Sequence, residues 1–314
     1  MTIPSTMRAA RIHRYGGPEV LVVEDVPVPT LDPGEVLVEV LTASVNGADL
    51  ELRRSGFDGY FDPPRTLGLD LCGVVRAVAD DVERFAVGDR VHGRRSSAAR
   101  GTYSSFAAVD ADDLVTVPEG LDDVVAAGVP LVGLAAWQSV VELGGTAPGE
   151  RVLIHGAGGG VGHLAVQFAR HQGAHVIASD VAEAHPLLER LGVTEVYDFR
   201  ATDVLAVVGT LDVVIDPVGG PVTEASLAAL GPGSRLVSLV AQPDEDAARE
   251  RGATATMIDS WMDRDHLTRI DELVVAGEVT VEIGEVVPFE QAARAHELAE
   301  NGTVQGKVVL DLRT

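Results

Sequence analysis

The chain has one cysteine, Cys72, in 314 residues. A single thiol excludes an internal disulfide framework and any cysteine-rich zinc site. No run of about 18 apolar residues occurs, which excludes a membrane-spanning helix. The opening MTIPSTMRAARIHRYGG lacks the apolar stretch of a signal peptide, so the expectation is a cytoplasmic protein. Basic residues are also few: 24 Lys and Arg stand against 48 Asp and Glu, a formal net charge of −24. Such a surface repels nucleic acid and anionic membranes, whose phosphates are bound by Lys and Arg. Neither is expected as a partner. Internal repeats and low-complexity tracts are absent.

What is present is enough for a sizeable core: 46% of residues are apolar, and the length suits one large or two medium domains. The most informative stretch is Arg151 to Asp180, RVLIHGAGGGVGHLAVQFARHQGAHVIASD. The run Val152–Leu153–Ile154 leads into a glycine-rich turn. Val161, Leu164, Ala165, Phe168 and Ala169 then recur at helical spacing, and Val176–Ile177–Ala178 runs to Asp180. This predicts strand, turn, helix, strand. Gly156, Gly158, Gly159, Gly160 and Gly162 let the backbone turn sharply and approach a ligand with no Cβ in the way. A helix starting near Gly160 would aim free N–H groups and its positive dipole end at phosphates. In GxGxxG register the three positions are Ala157, Gly159 and Gly162, with alanine first. The flanking strand and helix, and the acidic Asp180 about 20 residues on, make this a dinucleotide turn rather than an ordinary βα turn.

Before this stretch, RAARIHRY, LVVEDV and EVLVEVLTASV alternate as strands do, with turns at Gly16–Gly17–Pro18 and Leu31–Asp32–Pro33–Gly34. Residues 46–66 read as a short helix and an aromatic, Gly- and Pro-containing loop, and β patterns continue to residue 120. From Leu121 the pattern becomes helical, then alternates β and α, which implies a parallel sheet with right-handed crossovers. Its strand ends mark the ligand side: the glycine turn, Ser179–Asp180, Asp216–Pro217–Val218 and Leu239. ATATMI (253–258) is expected late in the sheet as an edge strand. An uncovered edge invites pairing, so a homodimer joined there is expected. VEIGEVV, FEQAARAHELAENG and KVVLDL form a closing strand, helix and strand that return to the N-terminal domain.

These residues resemble the medium-chain dehydrogenase/reductase superfamily, in its zinc-lacking, quinone oxidoreductase-like branch. The resemblance covers nearly the whole chain. It rests on MRAARIHRYGGPEVL, ASVNGADLELRRSG, RTLGLDLCGVV, VGDRVHG, PLVGLAAWQSVVELGG, GERVLIHGAGGGVG, LDVVIDPVGG and GKVVLDL. It implies an α/β fold: a Rossmann doubly wound parallel sheet inserted in a β-rich, GroES-like catalytic domain, with the active site in the cleft between them. On this sequence the division would be residues 1–122 plus 281–314 for the GroES-like domain and 123–280 for the Rossmann domain. Zinc-dependent relatives hold their metal with a Cys in the segment matching ASVNGADL and a His in the segment matching LGLDLCG. Here those segments carry Asn46 and Leu69–Asp70. No zinc is expected, and nothing in the sequence places His13 and His92 together, so each reads as a surface or barrel histidine.

Without a metal, reduction of a quinone or an activated C=C bond is favoured over ketone reduction, because the resulting enolate or hydroquinone oxygen is better delocalised than an alkoxide. The expected substrate is therefore a small apolar quinone or unsaturated carbonyl compound. Asn46 matches the asparagine this branch carries near the nicotinamide; its amide could donate to a substrate oxygen or fix the cofactor carboxamide, or simply hold a turn. Tyr60 lies where relatives place a substrate-lining tyrosine and is either a hydrogen-bond donor or a wall aromatic. Phe57 and Phe61 would wall an apolar pocket. Asp49 reads as structural, Trp137 as core, and Ala135 replaces a threonine common near the nicotinamide. Expected cofactor contacts are Asn46, Gly158, Gly159, Gly160, Val161, Gly162, Ser179, Asp180, Val218 and Leu239. The family favours NADPH. Asp180 favours NADH, since a carboxylate accepts from ribose hydroxyls and repels a phosphate of roughly −2 charge. Arg200 and His185 could partly rescue the phosphate, and both coenzymes stay open. The competing functions are a zinc-free alcohol or carbonyl oxidoreductase and a non-catalytic dinucleotide-binding protein.

Overall fold

The computed structural model describes residues 3–59, 61–96 and 100–313. The chain forms two compact units, Met1–Leu131 with Met262–Thr314, and Val132–Trp261. Strands in chain order are β1 (Thr6–Ile12), β2 (Leu21–Pro27), β3 (Glu35–Val45), β4 (Arg65–Thr66), β5 (Asp70–Val78), β6 (Arg90–Arg94), β7 (Phe106–Asp110) and β8 (Leu114–Thr116). Then come β9 (Arg151–His155), β10 (His175–Asp180), β11 (Glu195–Asp198), β12 (Val213–Asp216), β13 (Arg235–Ser238), β14 (Thr254–Met257), β15 (Ile283–Pro288) and β16 (Lys307–Asp311).

The first unit is β-rich. One sheet runs β2-β1-β4; the other runs β15-β16-β3-β5-β6-β8, with β7 also pairing β3. All pairs are antiparallel except β15 with β16. The core is aliphatic: Ile12, Val36, Val38, Leu71, Val91 and Leu114 are buried together. Each such side chain contributes roughly 1.5–3 kcal/mol relative to exposure. β16 lies between β15 and β3 and buries Lys307, Val308, Val309 and Leu310. A strand covered on both faces reads as a continuous apolar run, and the lysine at its start is the exception.

The second unit is a parallel sheet in the order β11-β10-β9-β12-β13-β14. The chain runs outward from β9 to one edge and then from β12 to the other, the doubly wound arrangement in which ligands lie at the carboxyl ends of the strands where the order reverses. β14 is the edge strand, as ATATMI implied. The helical stretch after Leu121 is broken into Asp123–Gly128 and Pro130–Trp137, because Pro130 has no N–H to continue the helix.

The unit boundaries fall at 131/132 and 261/262, not at 122/123 and 280/281. Side chains decide this. Ala126 and Ala127 of helix Asp123–Gly128 join Cys72 of β5 and Val309 of β16 in one apolar cluster. Asp271 of helix Arg264–Val275 pairs with His92 of β6 at 2.8 Å, both buried. Neither contact has a local sequence signature.

A buried cation anchors the C-terminal helix Ala292–Glu300. The Arg53 side chain is fully buried; its Nε donates to the Gly16 carbonyl at 3.1 Å, its Nη2 to both Glu300 oxygens at 3.0 and 2.9 Å, and its Nη1 to His296 Nδ1 at 3.3 Å. Burial, and then the Arg53 charge, drive the His296 pKa down from 6.5 to about 3. The unfolded chain therefore binds more protons between those values, so stability rises with pH across that window and falls on acidification, by at most about 1.4 kcal/mol per pH unit. The expected result is that His296→Gln, which can still accept from Arg53, unfolds in denaturant with a shallower acid dependence than wild type between pH 6.5 and 4. Parallel curves would show that His296 is not buried neutral.

Candidate active site

In the parallel-sheet unit, the turn after β9 is shaped by positions where a side chain would not fit. Gly156 has φ +54°, and a Cβ on Gly162 would lie 2.1 Å from the Gly156 carbonyl oxygen and 2.7 Å from Ala157 Cα. The first turn of helix Gly162–His171 thus packs directly on the backbone of the loop. The N–H groups of Gly160, Val161 and Gly162 make no backbone hydrogen bond among the described residues, so they and the helix dipole remain for an anion. Ala157 is fully buried and its N–H donates to the Ser179 carbonyl at 3.3 Å. Alanine at the first fingerprint position is therefore accommodated by burial.

Asp180 ends β10 nearly buried. Its carboxylate accepts from the Gly158 N–H at 2.6 Å and the Val181 N–H at 2.7 Å. This fixes a negative group beside the turn. Ser179 is buried next to it, Val218 is exposed at the end of β12, and Leu239 is half-buried after β13. Arg200 is exposed and 3.8 Å from Glu183, with its guanidinium 5.9 Å over the Phe199 ring. Its charge is thus shared with a carboxylate. His185 is half-buried. The free N–H groups and the carboxylate fit a dinucleotide, which is held by such a turn and by an acid on its ribose.

In the β-rich unit, Asn46 sits between β3 and helix Gly47–Arg54. An asparagine there would ordinarily cap the helix with its side chain. Here Asp49 accepts from the Asn46 backbone N–H at 2.9 Å, as in a capping box, and the Asn46 amide also reaches inward. Its Nδ2 donates to Asp70 Oδ2 at 2.9 Å, and its Oδ1 accepts from the Lys307 ammonium. Lys307 Nζ also donates to the Val45 carbonyl at 2.8 Å. Asp70 further accepts from Ser44 Oγ at 2.9 Å and the Leu131 N–H at 3.1 Å. Tyr103 donates to Asp49 at 3.1 Å. All of these side chains except that of Leu131 belong to buried residues.

The electrostatics follow from burial. Desolvation, and then the Asp70 charge, push the Asp49 carboxyl up to about 7. Desolvation brings Lys307 down to about 8, against the pull of Asp70 and Asp49. Asp70 is raised by burial, with Lys307 and the Asn46 and Ser44 hydrogen bonds acting the other way. Two acids and one ammonium therefore share one dry pocket of polar groups around the Asn46 amide.

This cluster does not fit zinc. A zinc site takes about three N, S or O side chains with room for the ion, whereas the Asn46 oxygen is already held by an ammonium. His13 is exposed and bonded to Glu24 at 3.0 Å. His92 is buried, with Nδ1 2.8 Å from the Ala126 carbonyl and Nε2 2.8 Å from Asp271. Burial opposes its charge, but those two acceptors raise its pKa overall. Among the described residues no three His, Cys, Asp or Glu are grouped to hold a metal.

Tyr60 lies outside the described residues. Phe57 is exposed, at φ +53°, with its ring centroid 6.2 Å from that of half-buried Phe61. Half-buried Trp137 packs edge-on against buried Phe168 at 5.3 Å. Sequence reasoning left Lys307, Ser44 and Tyr103 out of the site. The available clue was a lysine opening the apolar strand KVVLD, since lysine is rarely buried without a partner.

Comparison with known proteins agrees with both units. Residues 32–119 match the model of the alcohol dehydrogenase GroES-like domain, and residues 191–310 match that of a zinc-binding dehydrogenase. The chain is 31% identical to the bovine (Bos taurus) mitochondrial NAD(P)H oxidoreductase RTN4IP1, over 98% of this chain and 90% of that protein. It is 31% identical to a 2-haloacrylate reductase of a Burkholderia species, over 96% of this chain and 98% of that protein. The quinone oxidoreductase structure from Coxiella burnetii superposes with a TM-score of 0.93 at 29% identity, covering 98% of this chain and all of that one. The chain belongs to the medium-chain dehydrogenase/reductase superfamily, in its quinone oxidoreductase-like branch.

The cradle makes a direct prediction. Gly162→Ala places a methyl against backbone that cannot yield as a side chain would. Titration of the variant with NADH and NADPH is expected to show affinity at least about tenfold lower. Unchanged affinity for both would mean that the dinucleotide is held elsewhere.

Proposed function

We propose that the chain, an NAD(P)H oxidoreductase of the medium-chain family, reduces a quinone or an activated, α,β-unsaturated C=C substrate without zinc. The observation that carries this reading is the Asn46 amide, held from both sides by Lys307 and Asp70 at the position where zinc-dependent relatives keep a metal ligand. The bound coenzyme supplies a hydride. The chain's own task is then to steady negative charge on the substrate oxygen. Asn46 Nδ2 has a second hydrogen whose acceptor among the described residues, the Ser44 carbonyl, is 3.5 Å away. That hydrogen is available as a donor, and a delocalised enolate or hydroquinone oxygen needs no stronger partner. Tyr60 is retained as a second donor. Gly158 to Gly162 take the pyrophosphate, with Val218 and Leu239 beside the cofactor. The names of the Coxiella and Burkholderia relatives match the two substrate types. The single buried thiol suits a reducing compartment, and we place the protein in the cytoplasm, although the bovine relative is mitochondrial by name.

A coenzyme-oxidation assay against a quinone, an enone and a ketone tests the reaction. Turnover of the first two is expected; activity on the ketone alone would establish the carbonyl oxidoreductase instead, and no turnover would leave a dinucleotide-binding protein.

For the coenzyme we propose NADH, on the Asp180 carboxylate fixed by Gly158 and Val181. A 2′-phosphate there would meet a like charge. Dissociation constants are expected to favour NADH by about tenfold, or 1.4 kcal/mol, and Asp180→Ser to narrow or reverse that preference. Tighter binding of NADPH by the wild type would refute the assignment.

We further propose a homodimer formed through β14. Its free edge carries no strand among the described residues, and Met257 is exposed. Such an edge is a template for pairing. Light scattering at micromolar concentration should give twice the chain mass; a strict monomer would exclude this.

A further inference from the structure

The neighbours of Asn46 fix which way its amide points. Only the amide oxygen can accept from the Lys307 ammonium, and only the nitrogen can donate to the Asp70 carboxylate. A flip of the amide would set nitrogen against ammonium and oxygen against carboxylate. Lys307 is itself held by the Val45 carbonyl, and Asp70 by Ser44 and the Leu131 N–H. Both clamps are buried, so neither swings away at low cost. We propose that Lys307 and Asp70 are positioning residues that lock the Asn46 amide with its oxygen inward, and that the ammonium on that oxygen strengthens Asn46 Nδ2 as a donor to the substrate anion.

The physical basis is polarisation along a hydrogen-bond chain. A cation on the carbonyl end of an amide draws electron density from the nitrogen and makes its N–H a stronger donor. In a dry site such a charge-assisted bond outweighs a neutral one. The charge also opposes, from behind, the negative charge that builds on the substrate oxygen. Asp70 takes one Nδ2 hydrogen, which leaves the other directed and unshared apart from the long contact to Ser44. Lys307 thus acts through Asn46 and not on the substrate. It lies at the start of β16, 261 positions from Asn46, where nothing in the local sequence marks it as part of a site.

This inference rests on the reading of Asn46 as the substrate's donor, and a double-mutant cycle separates the two. Asn46→Ala should lower kcat by about a hundredfold, the scale of losing one donor to a developing anion. If it does not, the reading of Asn46 fails first. Lys307→Met should lower kcat roughly tenfold to a hundredfold with KM and the coenzyme dissociation constant little changed, because the charge matters most when the substrate oxygen is anionic. Lys307→Arg should recover part of the loss. In the Asn46→Ala background the Lys307→Met change should cost little more. An equal loss in both backgrounds, with Asn46→Ala impaired, would show that Lys307 acts independently of Asn46 and would overturn the proposal. Should Lys307→Met not fold, Asp70→Asn, which keeps the shape but confuses the amide's direction, runs through the same cycle with the same outcomes.

Discussion

An ammonium taken out of water costs several kcal/mol unless carbonyls and carboxylates replace its hydration. Lys307 meets that condition with parts drawn from three places: the Val45 carbonyl, the Asn46 amide and the charge of Asp70. The requirement explains much about the β-rich unit. It ties β16, at the far end of the chain, to the end of β3, and the backbone pairing of Val309 with Ser44 and Leu310 with Ala43 puts the lysine at that spot. A chain that leaves this unit at Leu131 and re-enters at Met262 must still deliver Lys307 in register. A slip of one residue would place Val308 against Asn46 and leave Asp49 and Asp70 buried without their counter-charge, a loss of several kcal/mol.

The same unit shows why charge can be concentrated there without destroying the fold. Burial, and then the charge of Asp70, move the Asp49 carboxyl up to about 7. Tyr103 and the Asn46 N–H hold whichever form is present. A second buried cation, Arg53, is met by Glu300, His296 and the Gly16 carbonyl. Its solution is different: the neighbouring imidazole is kept neutral. Arg65 and Arg95 of the same unit are buried as well. Lys307 is placed against an amide with a second N–H, Arg53 against a carboxylate and a neutral imidazole.

Much of this fold was legible in the sequence, for reasons that differ by element. The parallel sheet could be read because β9, β10 and β12 are short apolar runs leading into Gly156 or ending at Asp180 and Asp216, and the turn after β9 is a local device in which Gly159 and Gly162 are demanded by contacts a few residues away. The family motifs extended that reading to the whole chain. The edges of the two units could not be read, because Ala126–Ala127 and Asp271 are assigned by what they touch, Cys72 with Val309 and His92 respectively. The clamp on Asn46 was hidden for the same reason. Asn46 stood out through its motif, while Lys307 looked like the polar first residue of a strand. Burial of a charge is a tertiary fact, and no periodicity carries it.

The acidic surface poses a last question: how a chain of net charge −24 can take up an anionic dinucleotide. Range decides it. At physiological ionic strength, charges further away than roughly 8 Å are largely screened, so most of the carboxylates contribute little at the glycine turn. Groups in direct contact are not screened. The N–H groups of Gly160, Val161 and Gly162, which make no backbone hydrogen bond among the described residues, would meet a phosphate at hydrogen-bond range, backed by the dipole of helix Gly162–His171. The Asp180 carboxylate, beside the turn, is directed at donors of its own at Gly158 and Val181. The local field at the turn is thus set by backbone, which mutation of surface residues cannot alter. The net charge acts at longer range, slowing the encounter with the coenzyme more than weakening the complex.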